Sequence, residues 1–182
     1  MVAEQARFLL RELQALLISD GLVDSDDVVI VAARFAYPEY LQRGAYICQS
    51  GRAFRDGLTH MGFYAEGAIQ AYIPRIRHRE TPVFFTYEEA NKRRTGSELD
   101  RLIADLIEAD LYNNIREAGE PYQVFLLSGP NDLDTVRLAS NIVNDTRTES
   151  GRSWAWTLGQ RYVSLAGLTH PYTKSTSDLK AR

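Results

Sequence analysis

The densest chemistry in the chain lies at residues 62–79, GFYAEGAIQAYIPRIRHR. Phe63 and Tyr64 precede a Glu66-Gly67 turn, and Arg75, Arg77, His78 and Arg79 follow it. Aromatic faces beside guanidinium groups can stack a base and hold its phosphate. The same residues also suit a half-buried edge hairpin, whose arginines discourage other strands from pairing with it. Strand alternation puts Arg75, Arg77 and Arg79 on one face. Upstream, Arg52 and Arg55 flank Phe54 and are placed to meet a phosphate. Downstream, Trp154 and Trp156 share a face by the two-residue period of a strand.

Other reactive side chains find no partners at useful spacing. Cys48 sits in a strand-like run with only His60 and His78 as distant bases, so it reads as a small buried hydrophobe. Asp24, Asp26 and Asp27 lack the glycine and distal glutamate of a calcium loop and read as a solvated turn. Asp105 and Glu108 have no third ligand, and with Glu98, Asp100 and Asp110 they read as the wet face of a helix. Asp132 and Asp134 follow a strand, as in metal-dependent nucleases, but no E-x-K follows them. Phosphate-binding glycine loops, H-E-x-x-H and G-x-S-x-G are absent, and three separated histidines with one cysteine make no zinc site. No metal and no cofactor are expected.

The elements that must position these groups follow from periodicity. Leu9, Leu13, Leu16 and Leu17 form one stripe of a helix over 3–22. Residues 28–35, VVIVAARF, form an apolar run interrupted only by Arg34, hence a buried strand. Strands are predicted at 44–50, on both sides of the turn in 62–79, and at 83–87, 122–128, 154–156 and 162–165. Residues 97–118 carry the clearest helix, opened by Ser97 with Asp100 three residues on and closed by Gly119. Residues 135–143 fit a short helix or a strand equally well.

Composition bounds the class. The 182 residues are 45% hydrophobic and 25% charged, with a net charge of −3, which describes one globular domain and excludes a generally basic nucleic-acid-coating protein. A single cysteine precludes an intrachain disulfide and fits the cytoplasm. No apolar run is long enough to cross a membrane, and no secretory leader is visible. One domain over 1–169 is expected, with 170–182 as a flexible tail or linker to something larger.

The order of elements predicts an α+β fold with a strongly bent or closed mixed sheet, an N-terminal helix and one long amphipathic helix. Around GFYAEGAIQAYIPRI, and at Trp154 and Trp156, residues 28–165 resemble the PUA-like modules, a class that includes ASCH, EVE and SRA-type domains. That resemblance implies a β-barrel that binds DNA or RNA, including a modified or flipped base, in systems such as defence or RNA processing. It would make Phe63, Tyr64, Trp154 and Trp156 the stacking residues and put Arg52, Arg75 and Arg77 on the backbone. At least two of those aromatics are expected to be core, since buried rings are the commoner case. Two alternatives stand beside it. One is an enzyme on nucleotides or nucleic acid whose Asp132, Asp134 and Asp145 assemble a metal site on folding. The other is an adaptor that uses the long helix against a protein partner or a second copy of itself.

Overall fold

The computed structural model describes residues 26–147 and 159–179, together with Leu13, Gly151, Trp154, Trp156 and Thr157. The helix expected at 3–22 lies outside these residues apart from Leu13, which is helical and half exposed.

Strand β1 (Val28–Ala32) is the centre of the molecule. Its first four side chains are fully buried on alternate sides: Val29 and Val31 enter one core, Val28 and Ile30 another. A strand apolar at every position is the one that can be covered on both faces. It runs parallel to β3 (His60–Ala65) and antiparallel to β10 (Gln160–Val163). The turn Glu66-Gly67, with φ of 52° and 77°, reverses β3 into β4 (Ala68–Ile69), as a two-residue hairpin of the primed type requires. Strand β9 (Ile142–Val143) completes a curled, mixed five-stranded sheet in the order β10-β1-β3-β4-β9. Gly62 is needed in β3, because a Cβ there would lie 2.3 Å from Ile30 Cδ1 in the packed interior.

A second, antiparallel sheet has the order β2-β7-β6: β2 (Ala45–Gln49), β7 (Pro121–Leu127) and β6 (Ile76–Phe84). Its inner face meets the first sheet through Tyr46, Cys48, Phe125 and Leu127 packed on Met61 and Phe63. Its outer face carries Ile47, Val124 and Leu126 against Ile103, Leu106 and Ile107 of a long helix. Two short strands, β5 (Tyr72–Ile73) and β8 (Val136–Arg137), pair separately. The layers therefore run from a C-terminal cover through the curled sheet and the three-stranded sheet to the helices. This is the α+β arrangement of a bent mixed sheet with helices that the sequence predicts.

Four helices occur among the described residues: α1 (Ala36–Arg43), α2 (Tyr87–Arg93), α3 (Glu98–Tyr112) and α4 (Leu165–Thr169). Helix α3 begins with the predicted capping box. Ser97 N donates to Asp100 Oδ2 at 2.9 Å, and Asp100 N donates to Ser97 Oγ at 3.2 Å. It ends before Gly119, because Asn114 takes the left-handed conformation at φ 53°.

Several boundaries differ from the sequence reading. The strand expected over 28–35 stops at Ala32, and the chain enters α1, where Pro38 sits in the first turn and breaks no helical hydrogen bond. The strand expected at 83–87 ends at Phe84, and Thr86 caps α2 by accepting from Glu89 N at 3.0 Å. Residues 135–143 contain β8 and β9, two residues each. Trp154 and Trp156 lie outside any strand. Residues 170–179 are packed rather than loose: Thr176 and Leu179 are buried, and Val143 N donates to Lys174 O at 3.2 Å.

Candidate functional site

Because β1 and β3 are parallel, their C-terminal ends arrive together. There, facing the edge of β2, the two sheets part around an open cleft of about 1140 Å³. Ala32, Ala33, Tyr64 and Ala65 form one wall, and Tyr46 to Gln49 form the other. The start of α1 adds Arg34, Phe35 and Glu39, and the segment after α3 adds Ile115, Arg116 and Glu117. Phe35 is 83% exposed, with the Arg34 guanidinium 5.6 Å from its ring centre. The lining mixes aromatic rings, hydrogen-bonding groups and balanced charge, with Arg34, Arg52 and Arg116 set against Glu39, Glu66 and Glu117. Such a cleft suits a flat, largely uncharged ligand better than a bare anion.

Two arginine networks hold its walls. Arg116 grips Glu39 with two parallel hydrogen bonds of 2.9 Å and donates to Asp110. Arg43 also donates to both Glu39 and Asp110. Asp110 is fully buried, so the solvated helix face expected of it is corrected: two guanidiniums make its burial tolerable. On the opposite wall Arg52 donates to Gln160 Oε1 (2.8 Å), Tyr46 Oη (2.6 Å) and Gly159 O (2.6 Å). Cys48 lines the cleft, yet burial pushes its thiol up to about 11 against the opposing pull of Arg52, so it carries no nucleophilic thiolate at neutral pH.

The residues singled out in the sequence are distributed unevenly. Tyr64 and Arg52 line the cleft. Phe63, one residue from Tyr64, points the other way and is fully buried between Tyr40 and Tyr46, which makes it a core residue and not a stacking one. Trp156 is also core, 2% exposed beside Tyr64 and beneath Arg161. Trp154 is 52% exposed, so the two indoles do not share a face. The stripe Arg75-Arg77-Arg79 is broken as well. The register of β6 against β7 slips between Ile76 and His78, leaving Arg77 bulged. Arg77 then pairs with Asp132 (3.0 Å) and Asp134 (3.4 Å), while Arg79 stands over the rings of Phe54 and Phe125 on the inner face. Arg75 is exposed.

The three aspartates of the enzyme alternative do not converge. Asp132 and Asp134 meet at Arg77, whereas Asp145 accepts from Ser177 and Thr176 near the C-terminus. Among the described residues no three His, Cys, Asp or Glu side chains are arranged to hold a metal ion, and no helix is long and apolar enough to cross a membrane. A second, mostly apolar hollow of about 610 Å³ runs along α3, where Leu99 and Leu102 are left partly exposed.

Phe35, Tyr46, Glu39 and Arg116 are the cleft residues the sequence reading missed. Phe35 was hidden at the end of an apolar run, and Arg116 in a segment read as helix. Comparison of the chain with protein-family models, with curated proteins and with solved structures returns no match.

Proposed function

We propose that the chain is a nucleic-acid-binding module that takes an unstacked base, such as a flipped or modified one, into the cleft between its two sheets. The observation that carries this reading is the company kept in one open cleft: the exposed ring of Phe35 beside Arg34, with Tyr64 and the amide of Gln49 in the same lining. Rings supply stacking faces and amides supply edge contacts, while the balanced charge of the lining leaves phosphates to be held outside it. The same reading keeps the chain beside the PUA-like modules, with the stacking role retained by Tyr64, taken up by Phe35 and lost by Phe63 and Trp156. Cys48 as a free thiol agrees with a cytoplasmic setting.

Fluorescence anisotropy with short single-stranded DNA and RNA, and with duplexes carrying mismatched or modified bases, tests it. Phe35→Ala and Tyr64→Ala should each weaken binding by about 5- to 150-fold, the range that corresponds to loss of one stacked base. Phe35 is exposed, so its variant keeps the fold. Absence of binding at low salt, or binding indifferent to both substitutions, would refute the reading.

A further inference from the structure

Most arginines of the second sheet and its helices are neutralised: Arg43, Arg77, Arg93, Arg94 and Arg116 all face carboxylates. Arg79 is different. The ladder sets it across from Phe125 on the inner face, while its neighbour Glu80 turns to the outer face and pairs with Arg93. Among the described residues the Arg79 guanidinium donates to no oxygen. Its contacts are the rings of Phe54, 5.4 Å away, and Phe125, 5.5 Å away. Arg52 stands over the same Phe54 ring at 5.2 Å, and its three acceptors are all uncharged. Two guanidiniums thus lie 5.2 and 5.4 Å from the centre of one nearly buried phenyl ring, with no carboxylate bonded to either.

A half-buried cation beside only aromatic rings retains unused N–H donors in a fixed fork, which matches the oxygens of a phosphate or carboxylate. Arg52 also lines the cleft, so this pair sits at its border. We propose that Arg79 and Arg52 form an anion subsite that holds a phosphodiester of the bound strand next to the cleft. The identity of the anion rests on the nucleic-acid reading; the subsite itself rests on the two arginines. Arg77, bulged and already held by Asp132 and Asp134, has no such role.

The test uses the full chain with two probes. With oligonucleotide, Arg79→Gln should weaken binding equally across sequences and lower the slope of log K against log salt by about 1. Arg79→Lys should keep the slope and Arg77→Gln should leave it unchanged. With inorganic phosphate alone, the wild-type melting temperature should rise, and Arg79→Gln should abolish that rise. A urea melt confirms that the Gln variant is folded. Oligonucleotide binding with an unaltered slope in Arg79→Gln would overturn the subsite while leaving the cleft reading standing. Phosphate stabilisation through Arg79 without oligonucleotide binding would leave the subsite and overturn the cleft reading. Failure of both probes removes both.

Discussion

Replacing Asp110 by Asn keeps the shape of the side chain and removes one of two carboxylates that neutralise Arg43 and Arg116. Asp110 is completely buried, and the side chains of Arg43 and Arg116 are only 17% and 12% exposed. Breaking a buried ion pair by removing one partner costs about 3–5 kcal/mol. Glu39 remains, bonded to both arginines, so the lower end applies and the expected loss is about 3 kcal/mol. With a urea m-value of about 2 kcal/mol/M for a chain of this size, the unfolding midpoint should fall by about 1.5 M. Replacing Asp110, Glu39, Arg43 and Arg116 together by apolar residues should recover most of that loss, because no charge of the network is then left unpaired in the interior. A midpoint shift below about 0.5 M for Asp110→Asn would refute the account of this network as the clamp that fixes α1 to the end of α3.

Two further outcomes follow from the titrating groups. With its thiol raised to about 11 by burial, Cys48 should react with iodoacetamide at pH 8 about 200-fold more slowly than an unfolded-chain cysteine, as thiolate fraction alone dictates. Equal rates in native and urea-unfolded protein would show that the thiol is not shielded. Glu80 is held below its ordinary value by its hydrogen bond from Arg93, so the stability it contributes is complete above about pH 4.5 and lost as pH falls through its lower folded value. Glu80→Gln should accordingly flatten the acid side of the stability–pH curve below pH ~4.5; an unchanged acid limb would refute the pairing.

What could be read in advance tracks how local its cause is. The double-sided burial of β1 is written in every residue of VVIVA, and the turn after β3 in Glu66-Gly67, because each signal is complete within a few positions. The Ser97–Asp100 box was legible for the same reason. Asp110 was misread because one of the two guanidiniums that justify its burial, Arg43, lies 67 residues away, and the other, Arg116, lies beyond the end of the helix. The split of Arg77 from Arg79 depends on a bulge that only the pairing of β6 with β7 creates. Helix α1 is eight residues long and carries a proline, too short and too irregular for its period to outweigh the apolar run before it. Of the cleft, Tyr64 and Arg52 were legible in short runs that set aromatics beside guanidiniums, whereas Arg116 enters it because α3 stops at Tyr112.

Asn144 gives the far end of the chain a stake in the cleft. Its Nδ2 donates to Tyr64 Oη at 2.8 Å and to Trp154 O at 2.6 Å, and its Oδ1 accepts from Thr176 Oγ1 at 3.1 Å. The hydroxyl that steadies Tyr64 is therefore tied, through one amide, to a threonine more than a hundred residues downstream. Trimming the chain before Lys174 would remove that anchor together with the Lys174 carbonyl that Val143 N binds. Such a shortened version would keep every residue of the cleft and still present a less fixed ring to its ligand. Residues 174–179 therefore work as part of the domain and not as a spacer after it.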